Sequence, residues 1–237
     1  MNLLSKKIKT RLHTQKRREI EVQKLKTSLL SSFYGGNAVM WKNQKLSDVG
    51  YHDTMGTHNR VIKFANDCYL EVISINPSAI SSNFDRWFGL DNERINNKIS
   101  YVPQVIAFVI ESNKNNNLYL EPINMKRGKY SWKFYRPNPL LEKEYPGIIS
   151  SGILPNKISW VSKNPIYEMP KCNFDLYQIE INLLNSQKHY FELLKELKIN
   201  KKIKFNFFNS KINLNNADFP NLKIKLFDRI TNKIINF

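Results

Sequence analysis

The chain has 237 residues, 41% of them hydrophobic and 12% aromatic, which is enough apolar material for a core and excludes disorder throughout. Its two cysteines exclude a disulfide scaffold and predict a cytoplasmic location, and no apolar run approaches the roughly 20 residues of a membrane helix. The net charge is +17, but only nine of the 37 basic residues are Arg. We therefore expect no specific nucleic-acid partner and no membrane partner.

The N-terminal part predicts a basic extension followed by a helix. Residues 1–18 carry seven Lys or Arg and few apolar side chains, which is typical of a solvated extension. Apolar residues then recur at near-helical spacing, which predicts an amphipathic helix over Glu19–Phe33. We expect one folded domain over residues 19–237.

Further along, the sequence predicts mainly strands. Thr57–Phe64 and Cys68–Ile75 are apolar and β-branched with a short turn between them, so we expect an antiparallel hairpin. A one-sided helix is predicted after Asn185. The class is therefore α+β, with a mixed sheet covered by helices. The other predicted strands are Gln104–Ile110, Tyr130–Tyr135, Ile158–Val161, Leu176–Leu183, Ile203–Phe208 and Leu222–Phe227.

The densest polar cluster runs from Gly50 to Arg60 and is followed by Glu71 in the next predicted strand. It includes His52 and His58, and imidazole and carboxylate groups are common ligands of divalent first-row metal ions. Glu71 has apolar neighbours in sequence, and an unpaired buried carboxylate is costly, so it needs a partner. Two simpler interpretations stay open: the histidines are structural, and Glu71 forms a salt bridge with Arg60.

The same residues resemble a known family. The run His52-x-x-x-Gly56-Thr57-x-Asn59, followed by a strand and Tyr69-Leu70-Glu71, resembles the signature of glyoxalase-like domain proteins of the vicinal oxygen chelate superfamily. Weaker similarities continue in the same order to about residue 226. The resemblance implies paired βαβββ modules that form a curved mixed sheet around a cavity, with helices outside. The family's first strand normally carries Asp-His, which this N-terminal region lacks, so it stays open whether the first module is complete.

The resemblance also implies a function. The leading hypothesis is a metal-dependent enzyme of the vicinal oxygen chelate type, a lyase, isomerase or dioxygenase-like enzyme that acts on a small oxygenated substrate. The alternative is a non-catalytic small-molecule binding or resistance protein of the same fold, and a homodimer stays open for either. The implied residues are Glu71 in catalysis, Arg60, Asn59 and Trp132 in substrate binding, and His52, His58 and Glu71 as ligands of a divalent metal ion.

Strand geometry predicts different distances from Glu71 for the two histidines. If both strands of the hairpin stay straight, His52 lies about nine residues, or roughly 30 Å, from Glu71 along the hairpin. A common metal ion would then require the chain to fold back sharply at Asp53–Gly56. His58 is offset by only about three residues, roughly 10 Å, and is the easier partner on local geometry.

Overall fold

The computed structural model describes residues 27–32, 40–79, 85–92, 104–113, 116–197, 203–208 and 222–236. The predicted basic extension, residues 1–18, lies outside the described residues. In chain order, the first strands are β1 (Thr27–Ser32), β2 (Met40–Trp41), β3 (Gln44–Lys45), β4 (Gly50–His52), β5 (Thr57–Lys63), β6 (Tyr69–Ile75) and β7 (Gln104–Glu111). They are followed by β8 (Ile123–Arg127), β9 (Tyr130–Tyr135), helix α1 (Leu141–Glu144), β10 (Asn156–Trp160), β11 (Phe174–Leu184), helix α2 (Lys188–Glu196), β12 (Ile203–Phe208), β13 (Leu222–Asp228) and β14 (Lys233–Asn236).

An eight-stranded main sheet has the order β4-β5-β6-β1-β7-β10-β9-β8. Its two halves repeat one arrangement: β1 runs parallel to β6, β7 runs parallel to β10, and the other neighbours within each half are antiparallel. The halves join at the centre, where β1 pairs antiparallel with β7. The sheet is therefore mixed, and its two halves are related by an approximate twofold axis between β1 and β7.

A second sheet, β12-β11-β13-β14, covers one face of the main sheet. The interface between the sheets is apolar because strand residues alternate between faces and the inward positions carry large aliphatic side chains. The opposite face of the main sheet has an apolar cluster of its own, and this face carries the cavities described below. The inter-sheet core includes Ile62, Leu70, Phe108, Ile179, Ile181 and Ile224, and the opposite cluster includes Ile73, Ala107, Val109, Met125, Phe134 and Ile158.

The predicted hairpin is confirmed, whereas the predicted N-terminal helix is wrong where it can be checked. β5 and β6 pair antiparallel from Thr57 opposite Ile75 to Lys63 opposite Tyr69. Residues 27–32, expected in a helix over Glu19–Phe33, form strand β1 instead. The spacing of a few apolar residues indicates a helix only weakly, and backbone pairing with β6 on one side and β7 on the other overrides it.

The expected α+β architecture agrees with the structure only coarsely. Strands predominate, and the face of the main sheet that we expected helices to cover is covered by the second sheet. Helix α1 lies between β9 and β10, and α2 follows β11. Within the described residues, neither repeat therefore shows a helix between its first and second strands, where a βαβββ module has one. None of the helices in this part of the chain is long and apolar enough to cross a membrane.

Candidate functional site

His52 reaches the main sheet through a sharp chain reversal. After β4, residues Asp53–Met55 form one 3-10 turn, and Gly56 follows in the left-handed region with φ of +57°. Glycine adopts this conformation at no steric cost. The chain thereby returns antiparallel to itself, and His52 pairs with Thr57 at the start of β5. The chain therefore folds back sharply at Asp53–Gly56, which is the reversal required for His52 to approach the hairpin.

Four side chains from different elements form one hydrogen-bonded chain. Asn59 on β5 donates through Nδ2 to Glu71 Oε1 on β6 at 2.6 Å. Arg127, the last residue of β8, donates through Nη1 to Asn59 Oδ1 at 3.0 Å and to His52 Nε2 at 3.1 Å. The order is therefore Glu71, Asn59, Arg127 and His52, and Arg127 connects the two halves of the main sheet.

The contacts of His52 define its tautomer. A guanidinium has no acceptor, so His52 Nε2 must accept from Arg127 and the ring proton must lie on Nδ1. Nδ1 then donates to Thr57 Oγ1 at 3.2 Å, and Trp87 Nε1 donates to the same oxygen at 3.1 Å. Burial above all, with the charge of Arg127 and a smaller effect of His58, lowers the pKa of His52 to about 3. His52 is therefore neutral at physiological pH.

The pKa of Glu71 is shifted in the opposite direction from that of His52. Burial raises the pKa of its carboxyl above the ordinary value, and the Asn59 hydrogen bond and the charge of Arg127 oppose that rise. Val61 and Tyr69 line the pocket beside it. Desolvation is the largest effect because these neighbours are mainly apolar, and the nearby donors do not fully replace water.

These groups lie at one end of a largely aromatic pocket, which we call the polar pocket. Its cavity volume is about 50 Å³, or about 500 Å³ when the space at its open mouth is counted, so a ligand would be only partly enclosed. His52 contacts two of the walls edge-on, with ring centroids 4.7 Å from Trp87 and 6.3 Å from Trp132. The remaining lining is Phe88, Val109, Phe134, Ile158, Trp160, Pro165 and Met169.

A family model described as a glyoxalase-like domain matches residues 38–197, about two thirds of the chain. The chain belongs to the glyoxalase-like domain family. No curated protein and no solved structure matches it. The match covers every strand that contributes to the polar pocket and begins after β1.

The glyoxalase-like domain brings together four of the six residues proposed from the sequence. His52, Asn59, Glu71 and Trp132 all line the polar pocket. His58 and Arg60 do not, because side chains alternate along β5 and these two point to the other face of the sheet. There His58 Nε2 lies 2.9 Å from Ser74 Oγ, and Arg60 donates to the carbonyl oxygen of Ser47 at 2.7 Å. The alternative salt bridge between Arg60 and Glu71 is not formed, since the two lie on opposite faces.

Sequence reasoning assigned no role to two residues of the site, Arg127 and Thr57, whereas Trp87 was among the aromatic residues expected to line a cavity in a binding protein. Thr57 could have been predicted, because it precedes Asn59 by two positions and therefore shares its face of β5. Arg127 lies just before the predicted strand Tyr130–Tyr135, without any local sign of its role. Its partners, Asn59 and His52, are 68 and 75 residues away in sequence, so only the folded sheet brings them together.

The residues present do not fit a resident divalent metal ion in this arrangement. His52 Nε2, the ring nitrogen with a lone pair, already accepts from the Arg127 cation. A metal ion there would lie against a positive charge, and Glu71 is separated from His52 by Asn59 and Arg127. Among the described residues, no three His, Cys, Asp or Glu side chains group as metal ligands. The proposed ligand set His52, His58 and Glu71 is not brought to one point.

Replacing Glu71 with glutamine is expected to stabilise the domain at neutral pH. Glutamine Oε1 keeps the Asn59 hydrogen bond, and the cost of burying a charge disappears. Because the folded-state pKa of Glu71 is raised, the folded protein holds this proton to higher pH than the unfolded chain. Wild-type stability therefore falls as pH rises through that window. Glu71→Gln should melt higher than wild type at pH 8 and equally at pH 4.

The matched control is Glu121→Gln, which removes the same charge from an exposed side chain. It should leave the melting temperature nearly unchanged at both pH values. A Glu71→Gln protein that melts lower than wild type at pH 8 would contradict the assignment of Glu71 as a desolvated carboxyl.

Proposed function

We propose that this glyoxalase-like domain binds a small oxygenated molecule in the polar pocket, without a resident metal ion. The observation that carries the proposal is that the guanidinium of Arg127 is only partly hydrogen-bonded. Its Nη1 holds His52 and Asn59, whereas its other nitrogens have no hydrogen-bond partner and it forms no ion pair within the described residues. A half-buried guanidinium at the end of an aromatic pocket offers free donors to an incoming ligand.

The chemistry of the pocket indicates the kind of ligand. The guanidinium fork binds two neighbouring oxygen atoms bidentately, as in a carboxylate or a hydroxyl beside a carbonyl. Trp87, Trp132 and Trp160 provide flat walls that favour a ring or another planar group. Both features match a small, planar molecule with paired oxygens, which is the substrate class that the vicinal oxygen chelate resemblance implies.

A second candidate function is acid–base catalysis by Glu71 on the bound molecule. The observation that favours it is the raised pKa of this carboxyl in the pocket, which moves it toward the range where a carboxyl can both accept and return a proton. Glu71 would remove a proton from the carbon or hydroxyl beside the oxygen held by Arg127 and return it elsewhere on the same molecule. Such a reaction is an isomerisation.

The binding proposal is tested by tryptophan fluorescence, because three of the four tryptophans line the pocket. Benzoate, salicylate and catechol are titrated in EDTA, and again with zinc, manganese, iron or nickel. We expect saturable quenching by salicylate in EDTA. Binding of these probes only after a metal is added would overturn the metal-free proposal, and no binding under either condition would overturn the ligand class. For the catalytic candidate, deuterium exchange into hydroxyacetone should occur and be lost in Glu71→Gln.

Two glycine substitutions distinguish a loss of ligand affinity caused by displacing Arg127 from a general loss of stability. A Cβ at Gly50 would overlap Arg127 Nη1 and lie 2.7 Å from Asn59 Oδ1. Gly50→Ala should therefore displace the guanidinium and weaken salicylate binding about tenfold, a loss of about 1.4 kcal/mol. A Cβ at Gly128 meets nothing within 4 Å, but its φ is +54°. Gly128→Ala should cost about 1 kcal/mol of stability and leave salicylate affinity unchanged. Equal salicylate affinity in both variants would contradict the role of Arg127.

A further inference from the structure

A second cavity lies on the same face of the main sheet as the polar pocket. Its floor includes Ala107 on β7 and Asn156 on β10, and Phe88 lines both spaces and separates them. The cavity volume is about 320 Å³, at the lower end of the range of small-molecule sites. It is the larger of the two spaces.

Asn156 is the unexplained feature of this cavity. Its side chain is only 8% exposed and lines the cavity, yet no described residue hydrogen-bonds to it. The amide atoms of Asn156 are not sealed from solvent, so they open into the cavity, where a ligand would replace water as their partner. The amide offers two donors and an acceptor that can pair only with something inside the cavity.

The rest of the lining indicates a neutral occupant. Most of it is apolar, and the carboxylate in it, Glu142, is already satisfied. Glu142 accepts from the backbone N–H groups of Gly147 and Ile149, both at 2.8 Å, and from the hydroxyl of Ser150 at 2.6 Å. The apolar lining is Phe88, Ile106, Ala107, Pro137, Pro139, Ile149 and Leu154.

The conformation of Phe88 indicates that packing holds this side chain in place between the two cavities. Phe88 has φ of +61°, in the left-handed region that side chains other than glycine rarely adopt. Its ring stacks on Trp87 with centroids 5.5 Å apart and meets Phe134 edge-on at 5.9 Å. Backbone strain of this kind persists where packing fixes the residue, and it clusters at ligand sites.

We propose that the second cavity binds a neutral, largely apolar small molecule, whose carbonyl or amide group hydrogen-bonds to the side-chain amide of Asn156. The site is independent of the polar pocket, which selects charged or paired oxygens through Arg127. A primary amide on a ring is the simplest probe of this chemistry, because it pairs with a side-chain amide through two reciprocal hydrogen bonds.

The test uses benzamide and the full chain with isotopic labels on asparagine amides and alanine methyls. We expect saturable shifts of the Asn156 amide and the Ala107 methyl, with a Kd of about 1–10 mM for a molecule of this size. Toluene, which has no group for Asn156, should bind at least about tenfold more weakly to wild type. Absence of saturable shifts at these two residues, or equal affinity for toluene, would overturn the proposal.

Variants separate a ligand-binding Asn156 from a structural one. Asn156→Leu should lose at least about tenfold in benzamide affinity and melt no lower than wild type, because the Asn156 side chain makes no hydrogen bond to another described residue that the change would break. Asn113→Leu, the same change at an exposed asparagine, should leave benzamide affinity unchanged. If Asn156→Leu melts well below wild type, or binds benzamide equally, Asn156 is not the anchor and the proposal fails. Because the shifts are read at Ala107 and Asn156, failure of salicylate to bind in the polar pocket would not alter this result.

Discussion

Arg127→Met is expected to reduce salicylate affinity at least about 100-fold, because hydrogen bonds from a charged donor to a carboxylate are among the strongest in proteins. Methionine fills a similar volume without a donor. His52 Nε2 and Asn59 Oδ1 then lose the group that satisfies them. Leaving buried acceptors unpaired should also lower the free energy of unfolding by about 1–3 kcal/mol. Fluorescence titration and urea unfolding measure the two effects.

The matched control is Lys126→Met, which removes one positive charge from the neighbouring residue of β8. Lys126 is exposed and, by alternation along the strand, lies on the other face of the sheet. Its salicylate affinity should stay within about twofold of wild type, since an exposed charge is screened by solvent. If Arg127→Met and Lys126→Met bind salicylate equally well, Arg127 does not hold the ligand, and the proposed function is wrong.

The second large effect is the pH dependence that His52 imposes on stability. A histidine in the unfolded chain has a pKa near 6.5, and the folded-state pKa of His52 is about 3. Between these values the unfolded chain binds a proton that the folded protein does not, so stability falls as pH is lowered. The expected loss is about 1 kcal/mol for each pH unit, or about 2–3 kcal/mol between pH 6.5 and 4.5.

His52→Gln keeps an acceptor for Arg127 and removes the titration. Its free energy of unfolding should therefore decline less steeply than that of wild type between pH 6.5 and 4.5, by the stated 2–3 kcal/mol. Glu71 titrates in both proteins, so its opposite contribution cancels in the comparison. His189→Gln changes an exposed histidine on α2 and should follow the wild-type curve. Parallel curves for wild type and His52→Gln would show that His52 is not held neutral by burial.

The sequence predicted the part of the site that is local. His52, Asn59 and Glu71 stand close together along the chain, and the period of two along β6 places Glu71 on the same face as Ile73. The same period, applied to β5, would have put His58 and Arg60 on the face opposite Asn59. Sequence spacing gave His58 as the easier partner of Glu71 because it measured distance along the strand and left out the direction of the side chain.

What the sequence could not predict depends on contacts between distant segments. Arg127 has no local sign of its role, since its partners lie on β4 and β5, at the opposite edge of the main sheet, and meet it only through their side chains in the folded structure. Strand β1 was missed for a related reason. A strand at the centre of a sheet is stabilised by backbone pairing on both edges, and that pairing with β6 and β7 is set by residues far along the chain.

The central position of β1 also means that the family match and the folding unit have different boundaries. The match begins at residue 38, whereas the halves of the main sheet are joined by β1, which pairs Thr27 with Ile110. A chain cut to residues 38–197 would lose β1 and both neighbours of β11, leaving β6, β7 and β11 with unpaired edges. Such edges pair with other chains, so the shortened protein would aggregate. In the full chain, β1 can pair with β7 only after Ile110 has been synthesised, so the two halves unite through contacts distant in sequence.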